Sequence, residues 1–275
     1  MGLRLCSRFR QLSGALRERV LERRRHAELS ATGQRERRLL DEERARFTGR
    51  ASSDSLVSIT VATWNRAAIV AERTIPAVLA QTHRNFELIV VGDCCTDDTA
   101  ERIARIDDRR VRFVNLEERG NYPAEPFKRH LVAGSIPMMA ARNLAQGAWI
   151  AHLDDDEVWE PDHLEVLLRQ ADVSNAELVW GRARYEIAPG EWRTEGSAEF
   201  ARFDIPHSTV LMRTYLKLFR EDMECWKLEL GADRHRFRRM YYAGVRASFV
   251  VAVVTLGPLR PDTTRQWVES EDREE

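Results

Sequence analysis

The sequence predicts an α/β fold with a mostly parallel central sheet flanked by helices, and two observations carry that prediction. From residue 56 onward, short β-branched runs alternate with amphipathic helical stretches, the pattern of strands joined by crossover helices. Three of those runs end in polar or acidic residues, and open α/β sheets bind ligands beyond the carboxyl ends of their strands.

Residues 1–50 hold 14 arginines and 7 acidic residues. They read as a helix with Leu12, Leu16, Val20, Leu39 and Leu40 on its apolar side. Like charges four apart, Glu18 with Glu22 and Arg19 with Arg23, mean that charge pairing does not explain this helix. The expectation is a solvated extension, although an arginine-rich arm also suits anionic lipid or a partner surface. Residues 51–55, rich in Ser and Asp, read as a linker. The domain reading is therefore an extension and linker over 1–55, a single α/β domain over 56–262 and an acidic tail over 263–275.

Within the domain, 57–61 is a strand by β-branching and 67–81 a helix whose apolar side is Ile69, Val70, Ile75, Val78 and Leu79. Residues 87–91 form a continuous apolar strand, a sign of burial on both faces. A helix over 96–106 opens on capping residues, with Asp98 and Glu101 spaced for a capping box. Strands at 111–116 and 148–153 and helices at 138–146 and 161–171 follow, the last with Pro161 in its first turn. Beyond residue 178 the pattern is less regular: antiparallel strands or loops over 185–203, a short helix at 237–243 and a strand at 247–256.

The formal net charge of −1 excludes a chain built to coat nucleic acid. Cys6, Cys94, Cys95 and Cys225 make no C-x-x-C pair, so a zinc site or disulfide framework is not expected. No signal-peptide pattern is visible, and the longest apolar stretch, 247–256, is too short to span a bilayer. The expected location is the cytoplasm, with room for peripheral contact at the inner face of a membrane.

The chemistry concentrates at strand ends. The strand over 148–153 runs directly into Asp154, Asp155, Asp156 and Glu157, with Glu160 and Asp162 close behind. Carboxylates this close repel one another, and a hard divalent cation, Mg²⁺ or Mn²⁺, relieves them. An acidic turn at the positive end of the next helix is the plainer alternative. Asp93 leaves the end of the strand over 87–91, where a carboxylate can hold a base or ribose, while Thr96, Asp97 and Asp98 are explained by capping. The first strand ends at Thr63, Trp64, Asn65 and Arg66.

These residues, together with Gln81-Thr82 and Ala141-Arg142-Asn143, resemble glycosyltransferase family 2 in order and spacing from about residue 57 to about residue 261. The resemblance implies a GT-A fold, a nucleotide-binding parallel part joined to a smaller antiparallel acceptor-side part. It implies donor contacts from Thr63, Asn65, Arg66, Asp93, Arg142, Asn143, Asp154 and Asp155, and a metal held by Asp156 with Asp155. It places the catalytic base at Asp233, with Glu224 as the fallback. The family more often has a Glu-Asp pair there, and this chain has Ala232-Asp233. Gly92 stands where an Asp is common, and Ala62 replaces the usual Pro or Thr. His207 and His235 are candidates for metal or substrate contacts, but the structural reading is the expectation for each.

The implied reaction moves a sugar from a nucleoside diphosphate to an acceptor hydroxyl with inversion, aided by Mn²⁺ or Mg²⁺. The expected partners are the nucleotide-sugar donor and a saccharide, lipid-linked or small-molecule acceptor, with no nucleic acid; a homodimer is compatible with the chain. A nucleotidyltransferase would want a glycine-rich phosphate loop after the first strand, which residues 62–66 do not supply. A non-catalytic nucleotide-sugar-binding or assembly protein on the same fold is the alternative that the single carboxylate at Asp233 leaves open.

Overall fold

The computed structural model describes residues 2–47 and 54–259. The linker positions 51–53 and the acidic tail 263–275 lie outside the described residues. Four parallel strands form one half of the sheet: β1 (Val57–Thr63), β2 (Phe86–Gly92), β3 (Val111–Asn115) and β4 (Trp149–His152), in the order β3-β2-β1-β4. β1 and β2 are covered on both faces, which explains the continuous apolar run of β2, whereas β1 alternates apolar residues with Ser58 and Thr60, which are buried as well.

The helix expected over 67–81 is present but not uniform. It runs as α2 (Ala67–Ile69), a π turn at Val70–Thr74 and α3 (Ile75–Leu79). α4 (Thr99–Ala104) is shorter than expected, and the capping box does not form. Asp98 sits at its N-cap without a capping bond, and its carboxylate instead accepts from Arg102 Nε at 2.7 Å. α5 (Pro126–Val132) and α6 (Ser135–Leu144) follow, with Gly134 at φ 74° turning the chain between them. The two-residue β5 (Val158–Trp159) precedes α7 (His163–Ser174). Asp162 is the N-cap of α7, so Pro161 lies just before the helix, not in its first turn.

The irregular region resolves into strands. β6 (Leu178–Ala188) and β7 (Glu191–Glu195) form a hairpin, β8 (Val210–Arg213) runs antiparallel between β4 and β6, and β9 (Ala247–Gly257) lies parallel to β6. The whole order is β3-β2-β1-β4-β8-β6-β9-β5, with β7 on β6. α8 (Ala232–Ala243) begins five residues before the expected 237, because the polar stretch over 233–236 hides its first turn from an apolar periodicity. One core cluster packs β1, β2 and β4 against α3 and α7. A second, on the other face, packs Ile89, Ile150 and Trp180 with Phe237, Met240 and Leu40.

Leu40 belongs to α1 (Gly2–Arg46), and this helix corrects the reading of a solvated extension. Its buried stripe is Leu21, Arg25, Leu29, Glu36 and Leu40, whereas Leu16, Val20 and Leu39 are exposed; the Leu12 side chain lies outside the described set. Arg25 Nη2 donates to the Leu228 carbonyl at 2.9 Å, Arg37 Nη2 to the Tyr242 carbonyl at 3.0 Å, and Glu36 pairs with Arg239. Two buried members of the stripe are charged, so an apolar-only pattern misplaces the docking face. Among the described residues, no helix is long and apolar enough to cross a membrane.

Candidate functional site

The ends of β1, β2 and β4 meet at one rim of the sheet. Asp93 N donates to the Thr63 carbonyl at 2.8 Å, so Thr63, the buried last residue of β1, lies beside Asp93. Asn65 takes φ 52°, a left-handed conformation that asparagine tolerates. Its amide accepts from Thr96 N at 2.8 Å and donates to Thr96 Oγ at 3.2 Å, clamping the two strand-end loops together. Asp93 is buried; its Oδ1 accepts from Gly120 N at 2.9 Å, and Arg119 Nε lies 3.7 Å from Oδ2. The Arg119 guanidinium sits 3.3 Å above the Trp64 ring, so Trp64, Arg119 and Asp93 form a flat aromatic and charged wall. Gly92 has a local reason to depart from the family's Asp: a Cβ there would stand 2.9 Å from Cys95 Sγ and closer still to Asn115.

The acidic loop after β4 is held from one side by a single guanidinium. Arg66 Nη1 lies 2.6 Å from Asp155 Oδ1 and 2.6 Å from Asp156 Oδ2. The π turn of the first helix holds the loop's backbone. Arg73 Nη2 donates to the Asp156 carbonyl and Thr74 Oγ to the Asp155 carbonyl, each at 2.5 Å. Burial pushes the Asp155 carboxyl up to about 6, with Arg66 opposing. Burial, reinforced by Asp154, pushes Glu157 up to about 8. Burial and the neighbouring carboxylates thus disfavour the ionised forms of this loop, which a hard dication such as Mn²⁺ or Mg²⁺ at these oxygens would favour.

Asp154 faces elsewhere. Its backbone N donates to Ser208 Oγ at 2.9 Å, and its carboxylate lies 3.1 Å from His152 Nε2. It opens onto a cavity of about 490 Å³ shared with Asp233, Tyr185, Glu195, Phe203, Asp204 and His207. Asp233 lies in the first turn of α8 and accepts from Arg234 N at 2.6 Å. Burial raises its pKa, the Arg234 N–H opposes, and the Asp154 charge adds to the rise. The His207 ring stacks on His152 at 4.2 Å, and His152, Asp154 and His207 present ligand atoms close enough to share one ion.

The structure thus gathers Thr63, Asn65, Arg66, Asp93, Asp155 and Asp156 on the strand-end rim and puts Asp154 with Asp233 on the cavity. The expectation differs for Arg142 and Asn143. Arg142 is buried with its guanidinium on Glu221 and reaches the cavity residue His207 at 3.4 Å. Asn143 is exposed on α6. Glu224 pairs with Lys227 Nζ at 2.5 Å and does not line the cavity. His235 bonds to Glu28. Sequence reasoning missed Arg119, Tyr185, Glu195, Asp204 and Glu221. The first four sit on loops or hairpin strands where nothing local marks them, although Glu221 could be sought as the partner that a buried Arg142 requires.

The sequence model described as "Glycosyltransferase like family 2" matches residues 54–210. The chain belongs to this family. Among family relatives, it is 34% identical over 127 residues to the succinoglycan biosynthesis protein ExoO of Rhizobium meliloti (strain 1021), covering 45% of this chain and 32% of that one. It is 32% identical over 122 residues to the putative colanic acid biosynthesis glycosyl transferase WcaA of Escherichia coli (strain K12), covering 42% and 38%. The chain thus spans about a third of the length of these curated relatives. The GT-A fold is matched by S. aureus TarS 1-349 in complex with UDP-GlcNAc, with a TM-score of 0.61 at 16% identity over 76% of this chain and 60% of that one. The mannosyltransferase PcManGT from Pyrobaculum calidifontis, in complex with GDP-Man and Mn²⁺, gives a TM-score of 0.59 at 15% identity over 91% and 70%.

Proposed function

We propose that this family 2 chain transfers a sugar from a nucleoside-diphosphate sugar to an acceptor hydroxyl, with inversion and with a divalent cation. The observation that carries the reading is that Asp154, the first carboxylate of the acidic loop, and Asp233, the expected base, line the same cavity. Trp64, Asp93 and Arg119 form the wall that receives the nucleobase and ribose, with Thr63 and Asn65 shaping the loop behind it. Asp155 and Asp156 would hold Mn²⁺ or Mg²⁺, and the ion would neutralise charge on the departing diphosphate. Arg66 keeps those two carboxylates side by side. Asp233 takes the proton from the acceptor hydroxyl at Oδ1 or Oδ2, and its raised pKa brings it nearer the range in which a base works at neutral pH.

Tyr185 and Phe203 offer ring faces, and Glu195 and Asp204 offer acceptor oxygens, a lining suited to a polyhydroxyl ring. The acceptor is accordingly read as a saccharide or lipid-linked saccharide of an envelope polysaccharide. The names of ExoO and WcaA support that reading, as does that of the E. coli UDP-Glc:α-D-GlcNAc-diphosphoundecaprenol β-1,3-glucosyltransferase WfgD, 30% identical over 138 residues. A cytoplasmic enzyme at the inner membrane face fits such an acceptor.

The test is a melting-temperature panel of nucleotide sugars with and without Mn²⁺ or Mg²⁺. A ligand that binds only the folded state at a hundred times its Kd adds about 2.7 kcal/mol. One donor is expected to raise the Tm, and more so with the ion. If no nucleotide sugar raises it under either condition, the reading fails.

A further inference from the structure

At the opposite end of the strands from the rim lies a second cavity, of about 330 Å³, walled by Arg44, Arg213, Arg246, Tyr215 and Phe47. Trp149 opens β4 and Arg213 closes β8, whereas the other end of β8 leads back to His207 and the first cavity. The two cavities are therefore separated by the length of the strands.

Three guanidinium groups share this wall with one buried carboxylate, Glu177, which is already fully engaged. It accepts from Arg44 Nε and Nη2 at 2.7 Å each, from Tyr215 OH at 2.7 Å and from Arg246 N at 2.8 Å, and Arg246 Nη2 lies 3.1 Å away. Asp41 reaches Arg44 Nη1 at 3.0 Å from the exposed side. Glu177 therefore reaches the Arg213 guanidinium as a nearby charge and not through a side-chain hydrogen bond. Arg213 is 7% exposed, its guanidinium lies between the Trp149 ring at 3.9 Å and the Phe47 ring at 4.8 Å, and its buried Nη1 has no hydrogen-bond partner. Aromatic faces attract a cation but satisfy none of its N–H groups. A buried guanidinium in this state is costly unless an anion completes it.

We propose that this cavity is a binding site for a phosphate group, distinct from the donor site. Arg213 supplies the buried N–H donors, and Arg44 and Arg246 supply charge at the mouth. Planar guanidinium forks match phosphate oxygens, and the volume leaves room for a small substituent on the phosphorus. The phosphate belongs either to a soluble phosphomonoester or to an anionic lipid headgroup.

The experiment uses the full chain and its Arg213→Gln and Arg246→Gln variants. Glycerol 3-phosphate is titrated calorimetrically at constant ionic strength, and flotation compares phosphatidylglycerol-containing with phosphatidylcholine-only vesicles. Saturable binding of the phosphomonoester, weakened about tenfold or more in each variant, supports the site with a soluble ligand. Binding confined to phosphatidylglycerol vesicles and weakened likewise in both variants supports it with a lipid. Failure of both probes to bind the wild type overturns the proposal, as does binding that survives both substitutions unchanged. Cooperative melting checks that each variant is folded. If Arg213→Gln is not, Arg246→Gln decides, because its side chain is 51% exposed and removes little packing.

Discussion

His235 Nε2 and Glu28 Oε1 lie 2.8 Å apart, joining α1 to the helix whose first turn carries Asp233. The hydrogen bond from His235 is the largest influence holding the Glu28 carboxyl below its usual range. Glu28→Ala leaves a buried imidazole nitrogen without its partner, at a cost of about 1–3 kcal/mol. Urea unfolding should show that loss as a lower midpoint with an unchanged slope. An unaltered midpoint would mean that the contact contributes nothing.

Leu40 tests the docking of α1 as a whole. It is fully buried among Phe237, Met240 and the sheet. Leu40→Ala should destabilise the entire domain by about 3 kcal/mol through lost burial and a cavity. The exposed Leu39, at 39%, should tolerate the same change within about 0.5 kcal/mol. Equal effects at the two positions would contradict the docking face described above.

Asp233→Asn keeps the shape of the proposed base and removes its charge. Turnover should fall by about two to four orders of magnitude, while the melting shift given by the nucleotide sugar persists. Unchanged turnover would move the base elsewhere in the cavity.

Arg66→Met removes the guanidinium shared by Asp155 and Asp156. Two buried carboxylates then face each other without it, which costs about 3–5 kcal/mol when a buried pair is broken. Added Mn²⁺ should restore more stability to this variant than to the wild type. Identical Mn²⁺ responses, read by calorimetric melting, would argue against those carboxylates as the ion's holders.

Glu177 sets an acid limit. Burial alone would raise its pKa, but Arg44, Arg246 N and Tyr215 together lower it below the ordinary 4.5. A carboxyl with a depressed folded-state pKa contributes stability above its unfolded value, and that contribution disappears as the pH falls through the folded value. The wild type should therefore lose stability below about pH 4.5, and Glu177→Gln should be less stable at neutral pH with a flatter acid limb. Parallel pH curves for the two proteins would refute this.

Much of the parallel half was legible in the sequence, because β1, β2 and β4 are apolar runs ending in Thr63, Asp93 and Asp154, and such runs announce both strand and rim. α1 was legible as a helix, but its docking face was misread because Arg25 and Glu36 lie in its buried stripe, and their partners, the Leu228 carbonyl and Arg239, are remote in sequence. No local pattern encodes such a pairing. The start of α8 was hidden for a related reason: His235, Arg236 and Arg238 are buried polar residues, so its inward face does not read as apolar. Of the acidic loop, the sequence located the carboxylates but not their directions. That Asp155 and Asp156 turn toward Arg66 while Asp154 turns toward the cavity depends on Arg66, about ninety residues earlier, and on the helix it opens.

That helix carries a π turn at Val70–Thr74, and the extra residue it accommodates sets the phase between two halves of the molecule. An α-helical residue turns the chain by about 100°. Deleting one position there would let the helix wind regularly, yet it would swing Arg73 and Thr74 off the carbonyls of Asp156 and Asp155. The more regular helix would be the worse scaffold, because the irregularity is what aligns it with the loop it braces.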